Sequence, residues 1–332
     1  MKKNIALLAG GYSGEYAISV QTAVTIQNNI DTALYNVYKI IVTREAWTYM
    51  HTDGNNYQID RSDFSLQLPE GPLRFDAVFM AIHGTPGEDG KMQGYLEMLG
   101  IPCTSCGAIV SGLTFNKIFC NRVIAQSQLV HVSHSLHIHR DRVPAVADIL
   151  QQIQLPVFVK PAEGGSSLAT TKVKSAEDIP AALQAVFAIE SQAMIEEFVK
   201  GREFSIGVYR YGAQVLALPV TEIISSKEFF DYEAKYTPGV SREVTPAEIE
   251  TPIAERIAST AIQIYEVLNA KGICRIDFIL EEDSGKLYFL EINTIPGHSE
   301  NSIVPQQVRA SGMDLKTFYG RILEECLLKA GS

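Results

Sequence analysis

The first 105 residues alternate between short apolar runs and segments in which apolar residues recur every three or four positions. The runs Ile5–Ala9, Val37–Val42 and Phe75–Ile82 predict buried strands, and Ser19–Ile30 and Gln93–Leu99 predict helices. Near-continuous apolar strands are typical of parallel sheets that are covered on both faces. The pattern therefore predicts a doubly wound parallel sheet with helices on both sides.

The rest of the chain predicts two further units in which helices pack on antiparallel strands. Helices are predicted at Asn116–Gln128, Arg142–Gln154, Ala176–Ile189 and Thr251–Asn269, with strands at Pro156–Lys160 and Met194–Val199 and from Glu203 onward. Residues 225–244 lack periodicity, and an irregular segment of about 20 residues inside a compact domain is usually a functional lid. We expect an α/β domain over residues 1–105 and two α+β domains over residues 106–196 and 197–332.

A hairpin is predicted for the segment RIDFILEEDSGKLYFLEINT, because polar and apolar residues alternate in it. If its turn is centred on Ser284, Asp277 lies opposite Glu291 and Arg275 lies opposite Asn293 on one face. The other face is predicted to be apolar, with Ile276, Phe278, Leu280, Tyr288, Leu290 and Ile292. Like charges placed opposite each other destabilise a sheet, so either this face is solvated or a cation lies between the carboxylates. Two carboxylates and an amide suit Mg2+, which commonly binds phosphate oxygens as well.

A glycine- and serine-rich loop, Glu163–Ser167, follows the strand that ends at Lys160. Backbone N–H groups in such a loop converge on an anion, and a lysine at a strand end either extends into solvent or neutralises a bound phosphate. The loop is not a Walker motif, because the required glycine and lysine spacing is missing. A second glycine-rich turn, Gly10–Glu15, and His83 lie at the sheet edge where doubly wound folds bind ligands.

Composition and charge limit the kinds of molecule that the protein is expected to bind. The net charge of −10 argues against an extended nucleic-acid interface, which needs a basic stripe. No apolar run approaches the ~18 residues of a membrane span, and the N-terminus lacks the long apolar stretch of a signal peptide. Five cysteines without a secretion signal favour reduced thiols. We therefore expect a cytoplasmic protein that binds small molecules, with no nucleic-acid and no membrane partner.

Taken in order along the chain, nine segments resemble those of the D-alanine–D-alanine ligase family within the ATP-grasp superfamily. They are GGYSGEYAIS, AIHGTPGEDGKMQGYLE, TFNK, VKPAEGGSS, IEEFVKGREF, FFDYEAKY, CRIDF, FLEINTIPG and HSENSIVP. A single segment of this length is too short to be specific by itself. The ordered set is specific, because it covers nearly the whole chain. The resemblance implies three domains that clamp ATP and a homodimer. It also implies synthesis of D-alanyl-D-alanine through an acyl phosphate, for peptidoglycan.

The resemblance further implies roles for individual residues. The residues with implied catalytic roles are Glu15, Ser166, Tyr236, Arg275 and Gly297. The residues implied to bind D-alanine are Glu15, His83, Arg275, Ser302 and Ile303. ATP binding falls on Lys117, Lys160, Glu196, Phe198, Val199, Glu203 and Lys235. Two Mg2+ ions, or Mn2+ in their place, would be held by Asp277, Glu291 and Asn293. Glu15 would bind the first D-alanine ammonium, and Ser302 and Ile303 would bind the second carboxylate.

Three features leave alternatives open. In the family, a tyrosine at the position of Tyr236 implies the dipeptide product. The first alternative is the same chemistry with D-lactate or D-serine as the acceptor. The second alternative is a regulatory module that binds a nucleotide without turnover. Tyr16 and Ala17 follow Glu15 where the family commonly has His-Glu or Arg-Glu. Four histidines within His131–His139 predict either a metal-binding tract or a polar edge strand.

Overall fold

A computed structural model of the chain describes residues 2–165, 168–225 and 241–328. Ser166, Lys235 and Tyr236 lie outside these ranges, as does most of the segment 225–244 that we predict to be a lid. The described residues form three sheets, one in each third of the chain.

The first sheet is built from the N-terminal residues and has the spatial order β6-β5-β4-β3-β2-β1-β7. Its strands are β1 Lys3–Gly10, β2 Tyr35–Val42, β3 Trp47–Met50, β4 Asn56–Asp60, β5 Ser65–Leu68, β6 Gly71–Leu73 and β7 Ala77–Met80. The helices are α1 Tyr16–Asn29 and α2 Lys91–Met98. Alternate residues of β1 pack into separate apolar clusters on the two faces, one with α1 and one with α2. This confirms the predicted covering of both faces.

The three strands predicted from the sequence, β1, β2 and β7, pair in parallel, whereas β3 to β6 were not predicted and pair antiparallel. β1 pairs in parallel with β2 and with β7, whereas β2 to β6 pair antiparallel in sequence order. No helix is needed between consecutive antiparallel strands, because a short turn is enough to join them. The carboxyl ends of the parallel strands β1 and β7 lie side by side, and Glu15 and His83 follow these two strand ends.

The central part of the chain forms a four-stranded sheet with the order β11-β10-β12-β9. The elements are α3 Ala108–Phe115, α4 Lys117–Ser127, β8 His131–Val132, β9 Ser135–His139, α5 Val146–Leu150, β10 Val157–Pro161, β11 Thr171–Val173, α6 Ile179–Phe187 and β12 Gln192–Glu197. The predicted helix Arg142–Gln154 shrinks to α5, since Arg142 N–H bonds to the His139 carbonyl in a turn and Pro144 disfavours helix at Val143. The histidine-rich segment includes β9, which lies at the sheet edge.

The third sheet has the order β16-β15-β13-β17-β18-β8, and β14 pairs with β13. The elements are β13 Gly201–Tyr211, β14 Gln214–Ala217, β15 Thr221–Ser225, β16 Ser241–Val244, α7 Thr251–Val267, β17 Ile273–Glu281, β18 Leu287–Asn293, α8 Ile303–Ala310 and α9 Leu315–Leu328. Helix α7 packs on one face in an apolar cluster. Residues of α8 and α9 join the cluster formed by β1 and α1, which fixes the first sheet against the third.

The predicted hairpin is formed by β17 and β18, and its register on the polar side is confirmed. Arg275 pairs with Asn293, and Asp277 pairs with Glu291. Asp277 is buried and Glu291 is half-buried. The two carboxylates therefore do lie on neighbouring strands at the same level.

A β-bulge shifts the register by one residue beyond Asp277, where Phe278 pairs with Phe289. Leu290 is the extra residue of β18, because it lies between the partners of two consecutive residues of β17. Leu287 and Phe289 are buried, so the prediction that Tyr288 and Leu290 face the core is wrong. The bulge allows odd-numbered residues of one strand to fill the core at one end and the polar face at the other.

All five cysteines are free thiols, in agreement with the sequence prediction. Among the described residues no helix is both long enough and apolar enough to cross a membrane.

Candidate active site

Asp277 is the centre of the polar face of the hairpin. Its Oδ1 accepts hydrogen bonds from Ser205 Oγ at 2.5 Å and Arg275 Nε at 3.0 Å. Its Oδ2 accepts from Arg275 Nη2 at 2.7 Å and Asn293 Nδ2 at 3.3 Å. Three side chains thus donate to this buried carboxylate, and Ser205 and Asn293 are neutral partners that a metal ion could replace. Arg275 therefore supplies the positive charge that allows Asp277 and Glu291 to face each other.

Arg275 is held in a strongly negative environment. Burial alone would lower its pKa, but the carboxylates of Asp277, Glu291 and Glu243 outweigh burial and raise the pKa of Arg275 above its ordinary value. A guanidinium fixed in this way is preorganised to stabilise negative charge that develops nearby. This is the role that the resemblance implies for Arg275.

Glu15, at the start of α1, lies where the first and second sheets meet. A Cβ atom built on Gly84 would lie 3.3 Å from Glu15 Oε2, and one built on Gly165 would lie 3.4 Å from Glu15 Oε1. The carboxylate is thus in contact with the end of the first sheet and with the glycine-rich loop after β10. The sequence predicted both of these loops as ligand-binding, and the structure brings them together around Glu15.

His83 links the first sheet to the loop after β18. Its Nδ1 lies 3.0 Å from the Ile295 carbonyl, and its Nε2 lies 3.0 Å from Thr22 Oγ1. Burial lowers the pKa of His83, so the ring is neutral at pH 7. Because a carbonyl only accepts, Nδ1 carries the proton and Nε2 accepts from Thr22. Both ring nitrogens are engaged, so His83 positions the site.

Two further titratable groups, the half-buried Glu88 and the buried His298, lie near His83 and were not predicted from the sequence. Burial and the neighbouring charge of Glu15 raise the pKa of Glu88 to about 8, and Glu88 Oε2 accepts from the Gly84 N–H at 2.6 Å. Burial lowers the pKa of His298 to about 3, and its Nδ1 lies 3.4 Å from the Tyr319 hydroxyl. At pH 7 the Glu88 carboxyl and the His298 ring are therefore neutral.

The second sheet brings together Lys160 and Glu196, which the sequence assigned to the phosphates and the adenine of ATP. Lys160 Nζ lies 2.6 Å from Glu196 Oε2, and both side chains are largely buried. Asn121 Nδ2 donates to Glu196 Oε1 at 3.3 Å. Lys117 Nζ donates to the Gly164 carbonyl in the glycine-rich loop. Two lysines thus border the same loop from different elements.

The segment after β12 connects the second and third sheets. The Phe198 ring packs edge-on against Phe158 at 5.8 Å, and Lys172 Nζ lies 3.5 Å from its centroid. Val199 is half-buried, and Glu203 is half-buried on β13 opposite Ile279 of β17. The predicted adenine and ribose residues therefore follow one another along the connection between the sheets.

Ser302 and Ile303 begin α8, as the N-cap and the first helical residue. Ser302 Oγ lies 2.6 Å from Ser299 Oγ, and a Cβ atom at Gly297 would lie only 2.9 Å from Ser302 Oγ. A side chain at residue 297 would therefore displace the Ser302 hydroxyl. The N–H groups of the first turn of a helix favour a carboxylate, which agrees with the predicted second D-alanine site.

The donor set on the hairpin fits a magnesium ion in chemistry, since Asp277, Glu291 and Asn293 offer hard oxygen ligands. Among the described residues no three His, Cys, Asp or Glu side chains converge as a metal site. Asp277, Glu291 and Asn293 are not such a group, because one of the three is an asparagine. The histidine-rich segment also forms no such group among the described residues, although His137 and His139 stack at 4.1 Å on the edge strand.

Two residues that hold the site, Ser205 and Gln307, were not predicted from the sequence. Ser205 lies in the strand predicted from Glu203 onward, and its buried hydroxyl donates to Asp277. Gln307 Nε2 donates to the Ser205 carbonyl at 2.9 Å and fixes α8 to β13. Alternation along β13 was the available signal, since Ser205 is a small polar residue within an apolar strand.

Family comparisons match both parts of the chain. The model described as D-ala D-ala ligase N-terminus matches residues 4–106, and the model described as D-ala D-ala ligase C-terminus matches residues 122–324. The chain belongs to the D-alanine–D-alanine ligase family. The resemblance seen in the sequence motifs is confirmed, and so is the ATP-grasp fold that it implied.

Relatives of this family match over nearly the whole chain. The D-alanine–D-alanine ligase of Parabacteroides distasonis is 41% identical over 98% of both chains, and that of Porphyromonas gingivalis is 41% identical over 98% of this chain and 99% of its own. Among solved structures, D-alanyl-alanine synthetase A from Vibrio cholerae has a TM-score of 0.87 at 28% identity, covering 98% of this chain and 99% of its own. The VanG D-Ala:D-Ser ligase from Enterococcus faecalis has a TM-score of 0.86 at 28% identity, covering 99% of each.

Proposed function

We propose that this protein joins two D-alanines into D-alanyl-D-alanine, with conversion of ATP to ADP and phosphate, and so supplies a precursor of peptidoglycan. The observation that carries this proposal is the meeting of Glu15 with Gly165. It brings an acid suited to an ammonium group against the loop that is suited to phosphate. Transfer of phosphate to a carboxylate of an amino acid requires these two binding groups side by side.

The first D-alanine lies between the first and third sheets in this proposal. Glu15 binds its ammonium group, and His83 holds the Ile295 carbonyl and so fixes the loop that contains Gly297. Arg275 and the Gly297 N–H stabilise the oxyanion that forms when the second amine attacks the acyl phosphate. Arg275 is kept in place by both oxygens of Asp277, so little reorganisation accompanies the reaction.

ATP lies between the second and third sheets in this proposal. Lys117 and Lys160 contact the phosphates, and Glu196, Phe198 and Val199 contact the adenine, with Glu203 on the ribose. Mg2+ would be held by Asp277, Glu291 and Asn293, and when bound it neutralises phosphate oxygens and orients the transferred group. Lys160 is already paired with Glu196, so its ammonium group is shared between that acid and a phosphate.

Several parts of the proposal rest on the family resemblance alone. Ser166 and Tyr236 would connect the two loops that close the site, and Lys235 would contact a phosphate from the lid. The division into domains at residues 1–105, 106–196 and 197–332, and the homodimer, also remain predictions. Closure of a lid would exclude water, which otherwise hydrolyses an acyl phosphate.

The direct test is product analysis. Purified protein with ATP, Mg2+ and D-alanine is expected to release ADP and phosphate and to form D-alanyl-D-alanine, which mass spectrometry identifies. Replacing D-alanine by L-alanine, or omitting Mg2+, is expected to abolish ADP release. Glu291→Gln is expected to raise the Mg2+ concentration for half-maximal activity about 10-fold or more, since a second carboxylate ligand is lost. ATP binding without D-alanine-dependent ADP formation would overturn the proposal in favour of a regulatory module.

A further inference from the structure

Glu243 is an acid on the face of the third sheet that carries Arg275 and Asp277, and the proposed reaction assigns it no role. It lies on β16 opposite Ile223 of β15, which lies opposite Glu203 of β13. Two residues further along β13, Ser205 lies opposite Asp277. Directly opposite residues point to the same face of a sheet, so Glu243 projects to the side that carries Arg275 and Asp277.

The contacts of Glu243 place it beside the start of α8. Gln306 Nε2 donates to Glu243 Oε2 at 2.6 Å and to the Asn301 carbonyl at 2.7 Å. The Gln306 N–H donates to the Ser302 carbonyl at 3.2 Å, so Gln306 lies one helical turn after the N-cap. Through a single side chain, the carboxylate is thus connected to the residues that begin α8.

Among the residues that the structure describes, no cationic side chain hydrogen-bonds to Glu243. Gln306 is neutral, and Arg275, whose charge Glu243 influences, is already bidentate to Asp277. Burial raises the pKa of Glu243, because the ionised carboxylate is partly removed from water. A carboxylate in this setting is suited to an incoming cation.

We propose that Glu243 binds the ammonium group of the acceptor D-alanine. The inference rests on the proposed function and adds a subsite to it. An amino-acid zwitterion needs an anion-binding and a cation-binding group only a few ångströms apart, because a single carbon separates its two charges. The first turn of α8, at Ser302 and Ile303, and the carboxylate of Glu243 form such a pair. They lie on the side of Arg275, where the acyl group is attacked.

The subsite would favour an amine acceptor over a hydroxy acid. D-Lactate has the same carboxylate but a hydroxyl in place of the ammonium group, and a hydroxyl gains much less from a carboxylate partner than a cation does. Glu243 would therefore contribute to the choice of the dipeptide. A purely structural role, in which Glu243 clamps Gln306 and α8, predicts no such discrimination.

The test compares two acceptors in one reaction. Wild type and Glu243→Gln are incubated with ATP, Mg2+ and equal concentrations of D-alanine and D-lactate, and the ratio of dipeptide to depsipeptide is measured. Glutamine keeps the shape and still accepts the hydrogen bond from Gln306, but it lacks the charge. We expect the ratio to fall about 10-fold or more and the KM of the second D-alanine to rise similarly, with the KM of ATP unchanged.

Two controls separate the possible explanations. Glu250→Gln removes an exposed acid seven residues away and is expected to leave the ratio unchanged. Gln306→Ala removes the clamp but keeps the charge, and its effect on the ratio is expected to be less than about 3-fold. An unchanged ratio and unchanged second KM in Glu243→Gln would overturn the subsite, as would an equal effect of Gln306→Ala. If wild type forms neither product, the proposed function itself fails.

Discussion

Arg275 and Asp277 are two residues apart on one strand, and they form a bidentate pair in which both side chains are largely buried. Such a pair holds the guanidinium in one orientation, which a lysine ammonium cannot reproduce because it is a single point of charge. The pair serves to orient the guanidinium and adds little to the stability of the fold, because removing two charges from water costs free energy.

Arg275→Lys tests this geometric role. We expect kcat to fall about 100-fold, as is typical when a preorganised oxyanion donor is lost, while the KM of ATP changes little. Steady-state kinetics measure both parameters, and a denaturation curve records the stability of the variant. Arg309→Lys, on α8 with a carbonyl contact to Glu300, is the matched control and is expected to keep kcat within about 2-fold. Wild-type kcat in Arg275→Lys would show that charge alone is sufficient.

Glu190 gives the protein a pH-dependent stability close to the glycine-rich loop. Its Oε2 accepts from the Glu163 N–H at 3.0 Å, and burial, with repulsion from Glu163, raises the pKa of Glu190 to about 7. The unfolded chain has the ordinary, lower value, so the folded state binds more protons between these two pKa values. Stability from this group is therefore fully present below about pH 4.5 and is lost as the pH rises through about 7.

Glu190→Gln removes the ionisable carboxyl group and with it the loss of stability at high pH. We expect the variant to be more stable than wild type at pH 8 by about 1 kcal/mol, a value reduced for the partial exposure of the side chain to solvent. At pH 5 the two proteins are expected to agree within error. Urea denaturation at both pH values measures the difference. Glu177→Gln, at an exposed turn, serves as the control, and an equal gain at pH 5 and pH 8 would contradict the assignment.

At the scale of elements, the bulge at Leu290 decides which side chains of β18 reach the site. A strand has a strict period of two, so a shift of one residue exchanges its faces. Without the bulge, burial of Leu287 and Phe289 would direct Glu291 and Asn293 into the same apolar cluster. The bulge lets one strand serve both the core and the polar face.

Deletion of Leu290 is expected to abolish this arrangement. The register would become continuous, so either Glu291 and Asn293 enter the core or Leu287 and Phe289 leave it. Either change costs several kcal/mol, so we expect no cooperative unfolding transition from the deletion variant. Leu290→Ala keeps the register and is expected to lose no more than about 2 kcal/mol, as measured by thermal and urea denaturation. A folded and active deletion variant would contradict the role of the bulge.

The pairing of Asp277 with Glu291 could be predicted from the sequence because alternation and a short turn fix the register near the polar residues. The bulge could not, because Tyr288 and Leu290 are as apolar in pattern as Leu287 and Phe289. β3 to β6 were missed for a related reason. They are short, and several of their residues are polar or exposed, so no apolar run marks them. Glu243 gave no signal because its importance depends on α8, which is about 60 residues later in the sequence.

At the scale of the whole molecule, the candidate site combines residues from all three sheets. Glu15 and His83 come from the first, Lys160 and Glu196 from the second, and the hairpin residues from the third. A ligand that contacts several sheets binds the folded chain and not the unfolded one, so it stabilises the whole fold by mass action. Nucleotide binding should therefore be visible in global unfolding as well as in activity.

Lys160→Met is the variant that tests this coupling. At 100 times its Kd, ATP with Mg2+ is expected to stabilise wild type by about 2.7 kcal/mol. Loss of the Lys160 ammonium group should weaken ATP binding about 10-fold or more, and at the same ATP concentration the increment should fall to about 1.4 kcal/mol or less. The increment is measured as the difference between denaturation curves with and without nucleotide, so the cost of leaving Glu196 unpaired cancels. Lys286→Met, an exposed lysine at the hairpin turn, is expected to retain the full increment. Equal increments in the two variants would place the phosphates away from Lys160.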